Sequence, residues 1–338
     1  MNKPISRPIT TQRAPAIIRR LPDPTWTGEK QESIIHPEFG GLTFITGFRG
    51  KGKSILTQTF DDVMNVVIID LESKEENSVK EQFPEMGGYF PVLKEMARQY
   101  GSDYDLQTVY DRIIQIVDSM PNDRFTVLVV DNAQHLTDGA KHYIRSNPDI
   151  AKNRYGIVPQ NLAENKYGAA NAGANYLINN LYHTVMAKVK CLIVTFQLTT
   201  AWENNQPAFN KFKTTEVRMW HELSRLTIAL TDPMVEHFPV PRGYVLKESY
   251  SQKKWDRENK RFTIIKRIPP ALPTATPETI YGYLRDGWDR SNPRPGELVT
   301  ALEISPFTPT FSNEQLFLAE RMAKAQEKLG IKQGGEDE

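Results

Sequence analysis

The sequence predicts an α/β fold: a mainly parallel central sheet flanked by helices, followed by a C-terminal β-hairpin and helical extension. Three observations predict it. Short, uninterrupted apolar runs recur along the chain, as strands buried on both faces require. Stretches of helical periodicity separate them, which implies βαβ units with right-handed crossovers. The first apolar run, Leu42–Thr46, leads directly into Gly47-Phe48-Arg49-Gly50-Lys51-Gly52-Lys53-Ser54, a complete G-x-x-x-x-G-K-[ST] pattern. Strand, glycine-rich loop and helix start together form the context of a phosphate cradle.

Residues 1–28 are Pro-rich and basic (Lys3, Arg7, Arg13, Arg19, Arg20) and read as a flexible arm, either a solvated tail or a nucleic-acid contact. The core is expected over 29–240. The helix after the loop must be short, because Asn65–Asp70 is already a second buried run. Val109, Ile113, Ile116 and Val117 stand at helical spacing within Leu106–Met120. Phe125–Asp131 is the strongest strand signal, and a helix over Asn171–Val189 feeds a further strand, Val189–Thr195. Leu226–Leu230 is a shorter one.

Beyond Pro241 the pattern changes, and 241–311 reads as an extension. Gly243–Ser249 and Arg261–Ile268 have strand character and flank a polar stretch, Gln252–Lys260, which predicts a hairpin between them. A Pro-rich linker leads to a helix over Glu278–Arg285, capped by Thr276 with Pro277 in its first turn. Ser312-Asn313-Glu314-Gln315 spells a capping box that opens a last helix within 312–338, ahead of an acidic tail.

With 338 residues, 39% hydrophobic and 25% charged, the composition is that of a soluble globular protein. A formal net charge of +1 gives no global attraction to nucleic acid or membrane, so such binding must come from local patches. The single cysteine, Cys191, excludes an internal disulfide and a multi-cysteine metal cluster, and its apolar run marks it as a core residue. No apolar stretch approaches the ~20 residues that span a bilayer, and no hydrophobic leader opens the chain. Cytoplasmic residence without membrane association is therefore expected. The six histidines are scattered, and no nucleophile triad, His/Cys metal set or glycosidase carboxylate pair is visible.

The loop defines the expected site. Inward-pointing amides from Gly47, Phe48, Arg49, Gly50, Lys51, Gly52, Lys53 and Ser54, with Ile55 beginning the helix, would hold a nucleotide triphosphate. Lys53 would reach the β- and γ-phosphates, and the Ser54 hydroxyl would ligate Mg²⁺. Ligands of open parallel sheets sit beyond the carboxyl ends of strands, so polar residues just after apolar runs come next. Asp131 would hold the metal opposite Ser54. Asn132 follows it, where many related ATPases carry a glutamate base, and asparagine cannot accept a proton. Glu72, ending Ile69-Asp70-Leu71-Glu72, would orient or deprotonate the attacking water if its strand neighbours the loop strand. Otherwise it is a solvated glutamate opening an acidic loop with Glu75 and Glu76. Gln197 can only position or sense, since its amide is neutral.

These four segments, in their order and strand placement, resemble the RecA-like recombinase ATPases, and the smaller phage-type members most of all. Ser224-Arg225-Leu226-Thr227-Ile228 also resembles that family's late strand, and the likeness spans about residues 40–232. The resemblance implies a RecA fold, ATP with Mg²⁺ as cofactor, a catalytic role for Glu72, and assembly into a homo-oligomer with the nucleotide near an interface. It further implies a basic residue completing the neighbour's site, for which Arg218, Lys211 and Lys213 are the candidates. The implied activity is ATP hydrolysis coupled to work on single- or double-stranded DNA, in phage-type recombination, annealing or repair. A nucleotide-dependent switch or scaffold with little turnover, in phage assembly or defence, is the alternative, and Asn132 favours it. A small-molecule kinase would need lid arginines that the sequence does not display.

Two segments mix cations with aromatic rings, as single-strand surfaces do. One is the long connection after Asp131, with Lys141, Arg145, Lys152, Arg154 and Lys166 among Tyr143, Tyr155 and Tyr167. The other is the hairpin region, with Tyr250, Trp255 and Phe262 among lysines and arginines, diluted by Glu248, Asp256 and Glu258. Each reads equally as an ordinary solvated surface.

Overall fold

The computed structural model describes residues 21–26, 32–61, 64–72, 87–102, 104–163, 168–197, 200–203, 206–212, 215–234, 240–272 and 274–288. Most of the expected arm, Glu75, Glu76, Lys166, Tyr167, Lys213 and the capping-box helix with its acidic tail lie outside them.

The six strands that build the core are β1 (Gly41–Gly47), β2 (Val66–Asp70), β3 (Tyr89–Pro91), β4 (Val127–Asp131), β5 (Cys191–Gln197) and β8 (Leu226–Met234). They lie side by side in the order β8-β1-β5-β4-β2-β3, every neighbouring pair parallel. All described residues of β1, β2 and β4 are buried, which is why these strands read as unbroken apolar runs. The expected α/β fold with a mainly parallel central sheet is therefore present.

Side chains alternate between two hydrophobic layers. Val67, Ile69, Leu128 and Val130 face one layer with helices α2 (Val92–Tyr100), α3 (Leu106–Ser119), α4 (Ala133–Ser146), α7 (Ala169–Met186) and α8 (Thr215–Leu223). Val66, Ile68, Val127 and Val129 face the other, with α1 (Lys53–Gln58) and α9 (Pro277–Asp286). Two shorter helices, α5 (Pro148–Tyr155) and α6 (Pro159–Ala163), fill the connection between α4 and α7. Local chemistry sets the helix starts. Asp105 Oδ1 accepts the Thr108 amide at 2.9 Å to cap α3, and Thr276 Oγ1 accepts the Thr279 amide at 3.2 Å to cap α9, with Pro277 at its first position. Cys191 is fully buried, and burial pushes its thiol up to about 11, as befits a packing residue.

Three elements depart from the sequence reading. First, residues 240–248 do not form the first arm of a hairpin. They form β9 (Val240–Glu248), which pairs antiparallel with the free edge of β8, so the central sheet runs on across residue 240. A two-residue strand, β12 (Ala271–Leu272), closes that edge. The hairpin lies within the stretch expected to be its loop: β10 (Gln252–Asp256) pairs antiparallel with β11 (Arg261–Ile265). A further antiparallel pair, β6 (Thr200–Glu203) and β7 (Gln206–Phe212), follows β5. Second, residues 21–26 of the expected arm are docked. Arg112 donates to the Pro22 carbonyl at 2.9 Å, Gln115 to Asp23 at 2.8 Å and Arg124 to the Trp26 carbonyl at 3.0 Å. The Trp26 ring packs on Phe90 and Phe125, with centroids 5.1 and 5.2 Å away, because Leu21 and Trp26 are apolar anchors in a polar segment. Third, β2 does not neighbour β1, a point that bears on Glu72 below.

The buried Trp220 indole of α8 donates to Thr137 Oγ1 of α4 at 3.0 Å, while that hydroxyl donates to the Ala133 carbonyl at 3.0 Å. Thr137→Val keeps the shape but strands the indole N–H in the core. It should cost about 1–3 kcal/mol, read as a lower denaturant midpoint with an unchanged slope.

Candidate functional site

The parallel register gathers the expected residues at one end of the sheet. Gly47 lies opposite Gln197, Asp70 opposite Asp131 and Val130 opposite Val194, so β1 and β5 run about two residues beyond the carboxyl ends of β4 and β2. The loop leaves β1 at Gly47 and enters α1 at Lys53. Gly50 at φ 78° and Gly52 at φ 82° occupy the left-handed region that only glycine adopts freely, which is why the pattern needs them. Arg49, Gly50 and Ile55 are exposed at the loop surface, whereas Lys53 and Ser54 are half-buried.

Lys53 Nζ folds back over the loop and donates to the carbonyls of Gly47 and Phe48, each at 3.0 Å. Ser54 Oγ donates to Asp131 Oδ2 at 2.9 Å. Thr195 Oγ1, from the strand between them, donates to Asp131 Oδ1. Asp131 is thus a buried carboxylate held by two hydroxyls and aimed across β5 at the start of α1. Serine hydroxyl and carboxylate oxygens are hard donors of the kind Mg²⁺ selects, so this pair suits that ion. Among the described residues there is no group of three or more His, Cys, Asp and Glu side chains that would hold a metal without help from a ligand.

The condition that the sequence reading sets for Glu72 is not met. Its strand would need to neighbour β1, but β5 and β4 stand between them, because apolar runs reveal strands and not their order. What connects Glu72 is Asn132, whose Nδ2 donates to Glu72 Oε1 at 3.2 Å while its Oδ1 accepts the Gln134 amide at 2.9 Å and caps α4. The residue that cannot act as a base therefore holds one that can. Asp70 is fixed by Tyr89 Oη at 2.8 Å and by the Glu72 amide at 2.8 Å. The Asp131–Asn132 peptide bond is cis. Gln197 is half-buried beside Gly47, Arg218 falls on α8 and Lys211 on β7.

Sequence reasoning missed Thr195 as the partner of Asp131 and Tyr89 as the partner of Asp70. A lone threonine in the apolar run Cys191-Leu192-Ile193-Val194-Thr195 is the only signal the first leaves. A cleft of about 900 Å³ opens at the opposite end of the strands, lined by His36, Arg124, Lys188 and Lys190 among others. It lies at the amino-terminal ends of β4 and β5, whereas ligands of parallel sheets bind at the carboxyl ends, so the loop is the stronger site.

Sheet and loop define the fold: an α/β protein with a mainly parallel sheet, a glycine-rich loop joining β1 to α1, and one strand between the loop strand and that of Asp131. No family model matches the chain, and no curated protein matches it. Among solved structures it is similar to a KaiC-like protein of Pyrococcus horikoshii OT3, at 12% identity over 75% of this chain and 100% of that one, with a TM-score of 0.33. It is also similar to the flagellar accessory protein FlaH of Methanocaldococcus jannaschii, at 13% identity over 71% of this chain and 89% of that one, with a TM-score of 0.33. Likenesses this slight carry no weight for function. Among the described residues, no helix is long and apolar enough to cross a membrane.

Proposed function

We propose that the chain binds ATP with Mg²⁺ in the loop Gly47–Ser54, hydrolyses it, and couples hydrolysis to work on DNA, as a homo-oligomer in phage-type recombination, annealing or repair. The observation that carries the nucleotide reading is the contact between Ser54 Oγ and Asp131 Oδ2 at 2.9 Å, directly behind a loop whose Lys53 is held at its mouth. Two distant segments converge there with the donors that a phosphate-bound cation needs.

Each residue has a definable task. The loop amides and Lys53 bind and orient the phosphate tail, Lys53 exchanging the Gly47 and Phe48 carbonyls for phosphate oxygens. Ser54 and Asp131 would hold Mg²⁺, which when bound neutralises charge on the β- and γ-phosphates. Glu72, kept in place by Asn132, takes the proton of the attacking water. Gln197, level with Gly47, hydrogen-bonds near the phosphate end and carries its state into the segment that follows β5. Arg218 or Lys211 would serve the site of a neighbouring subunit.

A nucleotide switch with little turnover is the second reading, favoured by Asn132 after Asp131; the Asn132–Glu72 contact weighs against it. Measuring ATP turnover with and without single-stranded DNA separates the two. Stimulated turnover supports the first, whereas ATP binding without turnover in either condition supports the switch. Thr195→Val tests the metal assignment. Losing the hydroxyl that fixes Asp131 should raise the Mg²⁺ concentration needed for half-maximal nucleotide binding by about tenfold, seen in a titration with labelled ATP.

A further inference from the structure

Of the two segments that mix cations with rings, the connection after Asp131 half-buries its described tyrosines against other rings. Tyr143 packs on Tyr110 at 5.7 Å between centroids, and Tyr155 stacks on Tyr176 at 5.2 Å and 8°. In the β10–β11 hairpin both rings of the pair are open. Trp255 and Phe262 face each other across the strands, 4.9 Å between centroids, yet stay 48% and 64% exposed. Ile264 continues the same face and is 57% exposed, while Lys253 stands opposite it. A solvated hairpin has no reason to display a tryptophan, a phenylalanine and an isoleucine on one open face.

The charge on this hairpin is one-sided. Lys253, Lys254, Arg257, Lys260, Arg261 and Lys266 stand against two carboxylates, Asp256 and Glu258. Asp256 is occupied by the turn: its carboxylate accepts the Glu258 amide at 3.0 Å, the Asn259 amide at 3.1 Å and the Asn259 side chain at 2.8 Å. In a chain of net charge +1, this is a strong local cation excess next to open rings. Lys253 sits among the apolar side chains rather than to one side of them, which suits a charged strand with stackable bases better than the interior of a lipid surface. A duplex would offer phosphates to the lysines but no free base faces to the rings.

We propose that the β10–β11 hairpin is a binding surface for single-stranded DNA, with bases stacking on Trp255 and Phe262 and phosphates meeting Lys253 and the cations of the turn. The proposal rests on the reading that this protein acts on nucleic acid and names the surface that does so, away from the loop that would hold ATP.

The test is fluorescence anisotropy of the full chain with labelled oligo-deoxythymidine across a salt series. A Trp255→Ala/Phe262→Ala variant should bind tenfold or more weakly, at about a tenfold loss for each stacked ring, with the salt slope kept. A Lys253→Gln variant, which leaves strand pairing intact, should lower that slope by about 0.7. Both should bind labelled ATP as the parent does. If the parent binds the oligonucleotide and both variants match it, the hairpin assignment is overturned while the DNA reading stands. Variants that change only the oligomeric state, or only binding to anionic vesicles, overturn it equally. If the parent binds no oligonucleotide, the DNA half of the proposed function falls, and the hairpin assignment with it.

Discussion

Lys53→Ala should lose nucleotide binding by about a hundredfold or more, and turnover with it. The ammonium group now lies 3.0 Å from two loop carbonyls, within the reach of anything seated on the loop amides. Hydrogen bonds to charged groups contribute about 1.5–3 kcal/mol each, so losing two at the β- and γ-phosphates costs roughly 3–6 kcal/mol. Lys53 is half-buried and bonds the carbonyls of Gly47 and Phe48 at the loop, so the variant should unfold at a denaturant midpoint only slightly below the parent's. Equilibrium titration with a fluorescent ATP analogue reads the loss directly. Unchanged affinity would remove the nucleotide from this loop and, with it, every role assigned above to Ser54, Asp131 and Glu72.

How much of this arrangement the sequence discloses depends on whether each feature leaves a local mark. The loop does, because glycines at positive φ followed by lysine and serine occur together for a chemical reason. The parallel strands do, because burial on both faces leaves Val127–Val130 wholly apolar and its counterparts nearly so. Strand order leaves none. Val66–Asp70 reads the same whether it sits beside β1 or three places away, and only the packed sheet shows that Glu72 is linked through Asn132. The hairpin misreading has the same origin. Strand β9 has the apolar content to look like half of a hairpin, but the open edge of β8 claims it. Strands β10 and β11 are exposed along almost their whole length, so they carry no alternation of buried and open positions to recognise. The docked segment 21–26 was hidden by its prolines and charges, although Trp26 alone supplies most of its apolar anchor.

Glu72→Gln should retain ATP affinity while slowing hydrolysis by about 10²–10⁴-fold, the usual contribution of a general base. The substitution is close to isosteric, and the side-chain carbonyl of glutamine can still accept from Asn132 Nδ2, so the local geometry at 3.2 Å survives and only proton acceptance is lost. Asp70 is the nearest substitute, and it is poorly placed to act as one: both its oxygens are taken, by Tyr89 and by the Glu72 amide. Asn132→Ala makes the complementary test, because it leaves the carboxylate but removes its anchor and the cap of α4. It should reduce turnover less than Glu72→Gln while also lowering stability, by about 1 kcal/mol for the lost cap. Single-turnover measurements at saturating ATP separate the chemical step from product release. Should Glu72→Gln hydrolyse ATP at the parental rate, the water-activating carboxylate lies elsewhere, and the contact between Asn132 and Glu72 is a structural tie between the ends of β4 and β2.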